Sequence, residues 1–231
     1  MSISISDQTI AVLRNFATIN PNVVLRPGGV VKTIAEAKNI LASATIAEDF
    51  PSEMGIYDLN EFLSVLNLVA SPQIEFDQNS AIISSVGGSS KIRYFFSDPS
   101  ILTAPQKDIT MPSSDVRLSL SDTDLGAIRK AAAVLGHTEL SIIGQDGKVT
   151  LRVLDTKDSS ANTFDYDTGR STTEEFNFVV NIPNLKLMTA DYDIEISKKL
   201  ISKWTASTGI EYFIALEKSS TFGEASNGVA L

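Results

Sequence analysis

The sequence predicts an α+β fold of two similar domains, each an antiparallel sheet backed by short helices. Three observations point there. Short strand-like runs recur along the chain, parted by hairpin-type turns about every 8–12 residues, which is the spacing of antiparallel strands and not of a doubly wound parallel sheet. Helical periodicity with recognisable ends is confined to a few segments. The order helix, strands, helical element, hairpins then occurs twice, with the leading helices starting about 115 residues apart in a chain of 231.

The first helix is predicted over 7–18, with Ser6 as N-cap and Ile10, Leu13, Phe16 and Ala17 at helical spacing. Strands follow at 23–31 and 38–46. The second helix covers 59–69, where Asp58 and Glu61 form a capping-box pattern and Leu59, Phe62, Leu63, Leu66 and Val69 make the buried stripe. Strands at 73–77, 80–85 and 90–96 close the first domain, 1–96. Residues 97–112 carry Pro99, Pro105 and Pro112 and read as an extended connector. The second domain, 113–231, opens with a strand at 115–120. Its helix, 122–135, is capped by Ser121, carries Leu125, Ile128, Ala132 and Leu135 in its stripe, and stops at Gly136. Strands are expected at 138–144, 148–154, 162–167 and 174–181. A short fourth helical element covers 182–188, and strands at 191–197, 200–205 and 209–216 complete the domain. The turns Gln78-Asn79, Gly87-Gly88, Gln145-Asp146-Gly147 and Thr208-Gly209 fit hairpins.

Composition narrows the chemistry. The chain holds 19 Lys+Arg against 28 Asp+Glu, a formal charge of −9, so any contact with nucleic acid requires basic residues gathered on one surface. No cysteine is present, which excludes disulfides, thiolate metal sites and cysteine nucleophiles. One histidine, His137, follows a helix terminator and reads as a helix-end residue, not a general base. There is no nucleophile elbow, Walker loop, dinucleotide fingerprint or zinc-ligand spacing. Gly87-Gly88-Ser89-Ser90 precedes a strand and not a helix, so it reads as a turn and not a phosphate loop. Asp165, Asp167, Glu174 and Glu175 cluster around an Asp167-Thr168-Gly169-Arg170 turn, read as a solvated loop. No catalytic residue, metal site or cofactor is expected. No membrane span or signal peptide is expected either.

Three stretches carry a resemblance: Ile5 to Asn20, Tyr57 to Val69, and Glu175 to Asn181 continued by Asn184-Leu185-Lys186 and Asp191-Tyr192. Tyr212 to Glu217 adds a fourth. In their joint order and spacing they resemble the DNA polymerase sliding clamps of T-even-type phages, over essentially the whole chain. The resemblance implies the ring-forming DNA clamp fold, three subunits closing head-to-tail around duplex DNA, and a non-enzymatic tether for the replicative polymerase. It also implies an ATP-dependent clamp loader and late-transcription factors as partners, and a place in the cytoplasm of the infected host cell. A non-catalytic structural virion protein is the alternative reading.

Residue assignments follow from that resemblance. Arg14 on the polar face of the first helix, Arg129 and Lys130 on the polar side of the third opposite Leu125, Ile128 and Ala132, and Lys186 in the fourth would touch phosphates without reading sequence. The second helix has no basic residue and carries Glu61, which speaks against an evenly positive lining. By position, strand 90–96 with Lys91, Arg93 and Phe95 would meet strand 162–167 of a neighbour with Phe164 and Tyr166, the bases facing Asp165 and Asp167. Ile101, Leu102, Ile109 and Met111, with Phe213 and Leu216, would wall a pocket for partner peptides.

Overall fold

A computed structural model describes residues 2–87 and 90–223. Gly88 and Ser89 of the expected Gly-rich turn lie outside the described residues. The chain divides into two compact units, Met1–Asp108 with Gly209–Glu211, and Ile109–Thr208 with Tyr212–Leu231.

The first unit runs β1 (Ser2–Ile3), α1 (Asp7–Ile19), β2 (Val23–Leu25), β3 (Gly28–Ile34), β4 (Ile40–Phe50), β5 (Met54–Ile56), α2 (Leu59–Asn67), β6 (Pro72–Phe76), β7 (Ser80–Ser85) and β8 (Lys91–Phe95). Strands β1-β6-β7-β8 form one antiparallel sheet in that order, so β8 is an edge. The expected strand 23–31 is two strands. Pro27 offers no N–H to a ladder, and the pieces take different partners, β2 with β5 and β3 with β4.

Both helices of this unit start where the sequence places them. Ser6 Oγ accepts the Thr9 N–H at 3.3 Å. Glu48, reaching over from β4, accepts the Ser6 N–H and the Thr9 hydroxyl, both at 2.5 Å. Burial pushes the Glu48 carboxyl up, but these bonds outweigh it and the net shift is downward. At α2, Asp58 accepts the N–H groups of Asn60 and Glu61 at 2.9 and 3.1 Å. Leu13 and Phe16 of α1 and Leu59 and Phe62 of α2 are buried with Ile74 and Ile83 of the sheet.

The second unit runs β9 (Val116–Leu120), α3 (Asp122–Leu135), β10 (Glu139–Gln145), β11 (Lys148–Leu154), β12 (Phe164–Ser171), β13 (Phe176–Asn181), β14 (Tyr192–Ser197), β15 (Ile201–Ala206), β16 (Ile210–Ala215) and β17 (Thr221–Phe222). One sheet has the order β12-β11-β10-β13-β17, and β16-β15-β14-β9 is ordered in another. Leu140, Ile142, Leu151, Val153, Phe178 and Val180 pack beneath Leu125 and Ile128 of α3, all but buried from solvent. A second core gathers Tyr192, Trp204 and Tyr212 edge to edge. Their polar ends are satisfied: the Trp204 indole N–H donates to Ser202 Oγ at 2.9 Å, and Tyr192 OH donates to the Met188 carbonyl at 2.8 Å.

Two expectations for this unit are overturned. The fourth helical element is a single 3₁₀ turn, Ile182–Asn184. Pro183 sits in its first positions, Asn181 supplies no side-chain cap, and the Leu185 N–H already bonds the Ile182 carbonyl at 2.9 Å, so nothing propagates an α-helix. Lys186 therefore lies beyond the turn and not on a helix. The Asp167-Thr168-Gly169-Arg170 segment is no turn between elements but the interior of β12. Register jumps there from Thr150↔Asp167 to Val149↔Arg170. Thr168 Oγ1 donates to the Val149 carbonyl at 2.7 Å and Gly169 takes φ +67°. Such a bulge lets the strand continue while re-aiming the side chain that follows it, Arg170.

Candidate nucleic-acid and assembly surfaces

Arg14 is exposed on α1, and no hydrogen bond or ion pair holds it among the described residues. Arg129 is not free in the same way. It is half-buried on the flank of α3, and its Nη2 approaches the Leu187 carbonyl at 3.5 Å. The reason is helical geometry: residue 129 lies one turn from Leu125 and beside Ile128, at the border of the buried stripe and not opposite it. Lys186 is half-buried.

Lys130 is exposed and faces a groove of 400 Å³ together with Ala127, Ala131, Val134 and Leu135 of α3 and Thr163 and Phe164 at the start of β12. The structure thus joins Lys130, expected at DNA, with Phe164, expected at a subunit boundary.

Strand β8 is amphipathic across its two faces. Ile92 and Tyr94 turn to the helix side, where the Tyr94 ring meets Phe62 edge-on at 5.1 Å. Lys91, Arg93 and Phe95 stand exposed on the opposite face. Strand β12 alternates the same way. Tyr166 OH donates to Asp124 of α3 at 2.8 Å, which places Phe164 and Tyr166 on the helix side and Asp165 and Asp167 on the other. Both are edge strands in their sheets; Lys91 and Arg93 of β8 and Asp165 and Asp167 of β12 lie on the face away from the helices, while Arg170, past the bulge, turns to α3.

Asp165 is engaged within its own unit: the Arg152 guanidinium clasps it through two bonds of 2.6 and 2.7 Å and holds its carboxyl below the usual range. Among the described residues, Asp167 takes only the Gly169 N–H, at 2.8 Å. Sequence reasoning missed Asp124. Its carboxylate closes the capping box of α3 through the Ser121 N–H at 2.8 Å, takes the Tyr166 hydroxyl, and lies 3.5 Å from Arg170. Burial pushes it up, yet these donors outweigh burial and hold it below the ordinary aspartate value. The edge strand is thereby tied to the start of α3. The capping pattern was visible in the sequence, but the two partners on β12 are brought by tertiary packing, Arg170 from beyond the bulge.

Of the peptide-pocket residues, Ile101 is 71% exposed while Leu102, Phe213 and Leu216 are buried, and Ile109 is 38% exposed; Met111 is half-exposed. Ile101 and Leu102 belong to the first unit and the other four to the second. The first part of the connector is fastened to the first unit: the Ser97 N–H donates to the Gly55 carbonyl at 2.8 Å, Asn20 Nδ2 reaches the Thr103 carbonyl at 3.4 Å, and Lys32 pairs with Asp108. His137 meets the Asn162 carbonyl at 2.7 Å, a helix-end contact. No group of three or more His, Asp or Glu among the described residues is placed to hold a metal ion, and no helix is long and apolar enough to cross a membrane.

Sheets with free edges, backed by a few short helices, are the architecture of DNA clamps. The chain superimposes on the A. fulgidus PCNA with a TM-score of 0.66 at 11% identity, covering 95% of this chain and 99% of that one. The family model for DNA polymerase processivity factor matches residues 6–102, and that for the gp45 sliding clamp, C terminal, matches 117–218. The sliding clamp of Vibrio phage KVP40 is 30% identical over 92% of this chain and 98% of its own length. That of Enterobacteria phage T4 is 29% identical over 94% and 98%. The chain belongs to the phage sliding-clamp family, and its function is that of a DNA polymerase processivity factor.

Proposed function

We propose that three copies close head-to-tail into a ring around duplex DNA and tether the replicative polymerase without catalysing a reaction. The observation that carries this reading is the pair of free edges. β8 exposes Lys91 and Arg93, β12 exposes Asp167 and the outer side of Asp165, and both sets lie on the helix-distal face. Joining β8 of one copy to β12 of the next forms one ladder that makes the two sheets continuous, and it opposes unlike charges. It also removes edges that would otherwise template aggregation. Light scattering tests it: the reading expects a mass near 75 kDa, three times the 24.9 kDa chain, and a monomer or an open series of larger assemblies would overturn it.

The helical side of each unit then faces the duplex. Arg14 is the best-placed phosphate contact, with Lys186 and Arg129 as lesser ones. Such contacts reach phosphate and not base edges, so binding has no sequence preference. Arg14→Glu changes each ring by −6 charge units and should reduce loading and processive synthesis. The loss should be larger at low salt, because salt screens the added repulsion. Single-cycle primer extension across a salt series checks this, with wild-type processivity throughout as the contrary result.

Partner peptides are proposed to dock beside the connector around exposed Ile101 of the first unit. Support by analogy comes from the A. fulgidus PCNA structure, which holds the C-terminal region of FEN-1, and from the Helicobacter pylori beta clamp, which holds a DNA ligase peptide. Opening by an ATP-dependent loader, late-transcription partners and residence in the host cytoplasm belong to the same reading.

A further inference from the structure

The helix-distal face of the second unit holds a cavity of about 160 Å³ that neither the basic residues nor the strand edges use. Its walls include Ile143 and Gln145 of β10, Arg152 of β11, Glu175 and Asn177 around the start of β13, and Thr221 of β17. Strand register explains why these meet. Ile143 and Thr221 stand opposite Asn177 on its two sides. Phe178, the next residue along β13, packs beneath α3, so Asn177 turns to the other face.

Two acceptors line this cavity without donors to match them. Asn177 Oδ1 is sealed from solvent and has no hydrogen-bond partner among the described residues. An acceptor buried unpaired keeps the full cost of its lost hydration, so the site favours a ligand that brings a donor. Glu175 accepts only the Asp146 N–H, at 3.4 Å, and makes no ion pair among the described residues. The Arg152 guanidinium is committed elsewhere, its Nε and Nη2 both bonded to Asp165. Lys148, opposite Gln145 in the ladder, is exposed and outside the lining. With Arg152 balanced by Asp165, Glu175 leaves the cavity negative.

We infer that this cavity binds an alkylammonium group, which donates to Asn177 Oδ1 and pairs with Glu175 while its methylene chain lies against Ile143. A primary ammonium carries three donors and no acceptor. That suits a site whose open positions are acceptors; a phosphate or carboxylate would set oxygen against oxygen. A divalent ion fits poorly, because Glu175 is the one carboxylate in the lining and Arg152 stands in the wall. The volume is below the roughly 300–1,000 Å³ of pockets for whole small molecules, so it admits one aliphatic chain and not a nucleotide. Partial enclosure strengthens the ion pair relative to one open to water. Two sources carry this chemistry, a free aliphatic diamine and a lysine side chain of a protein that docks on this face. The site lies within one subunit and does not depend on the ring; in the ring proposed above it is turned away from the duplex, so it stays accessible with DNA threaded.

Titrating n-butylammonium into the isotopically labelled full chain, at matched ionic strength and followed by NMR, tests this. Saturable shifts should appear at the Asn177 side-chain amide and at the Gly144 and Thr221 N–H groups, with a midpoint on the order of millimolar. n-Butanol at the same concentrations should leave them in place. Glu175→Gln keeps the shape and removes the charge, and should raise the midpoint about ten-fold or more. Glu175 is exposed, so this variant keeps its fold. Asn177→Leu should raise the midpoint about five-fold or more while the melting temperature holds or rises, because an unpaired acceptor is replaced by an apolar chain of similar size. Comparing 1,4-diaminobutane with Nα-acetyl-lysine methylamide separates the sources: tighter binding of the diamine assigns the site to free amines, tighter binding of the lysine amide to a partner's side chain. Three results would overturn the inference. Equal binding of n-butanol makes the cavity merely apolar. Shifts that survive both substitutions place the amine elsewhere. No shift at tens of millimolar amine shows that water alone meets Asn177.

Discussion

Reversing Lys91 and Arg93 together, Lys91→Glu with Arg93→Glu, should reduce the mass at sub-micromolar protein from near 75 kDa to that of the 24.9 kDa chain. Both side chains are exposed on β8, and neither makes an ion pair among the described residues. Each substitution at such a position usually shifts folding stability by no more than about 0.5 kcal/mol. At the proposed boundary, however, four units of charge change against Asp165 and Asp167 of the neighbour, and opposed like charges cost several kcal/mol or so. The effect repeats at each of three boundaries. Assembly should therefore collapse while the subunit stays folded, and raising the salt should recover part of it. Light scattering and circular dichroism at a series of protein and salt concentrations check this. An unchanged mass would place the boundary elsewhere.

Gly55→Ala should be the most damaging small substitution in the first unit. A Cβ there would stand 2.4 Å from the Ser97 carbonyl oxygen and 2.9 Å from Leu102 Cδ1. The first obstacle is backbone, held by the bond from the Ser97 N–H to the Gly55 carbonyl. Neither can yield without moving the start of the connector off β5. Overpacking of this kind costs about 1–3 kcal/mol. For a chain of this size that corresponds to a thermal midpoint lower by roughly 2–12 °C. The functional consequence is specific. Ile101 and Leu102 lie four and five residues after Ser97, so a displaced connector should weaken polymerase tethering beyond what lost stability explains. Processivity measured well below the midpoint, at saturating clamp, separates the two. A variant with wild-type melting would show that β5 and Ser97 do not meet as described.

α3 was legible to the residue, because its start and stop are local chemistry. Ser121 and Asp124 satisfy the first N–H groups, and Gly136 takes the left-handed conformation, φ +73°, that ends the helix. The strands were legible wherever side chains alternate and a tight turn follows, as in β6, β7, β10 and β11. The 3₁₀ turn at Ile182–Asn184 was misread because an apolar run after a proline looks the same whether or not a cap is present. β12 was misread because Asp-Thr-Gly is also the composition of a turn. Only the carbonyl of Val149 on the adjacent strand, taken by the Thr168 hydroxyl, makes it a bulge.

Sequence alone determined the class of this protein: two sheet-and-helix units, an acidic chain without thiols, and a family signature carried by the order of its helices and strands. These properties are local or additive, so they survive without knowledge of what packs on what. Tertiary structure decided which strands are edges, which face of each edge carries charge, and which exposed side chains are already engaged. Arg129 and Lys130 are adjacent in sequence and alike in charge, yet one leans on the Leu187 carbonyl and the other stands in an apolar groove. No periodicity distinguishes them, because the difference is made by residues some 30 to 60 positions away that only the packing of β12 and the post-helical segment brings alongside α3.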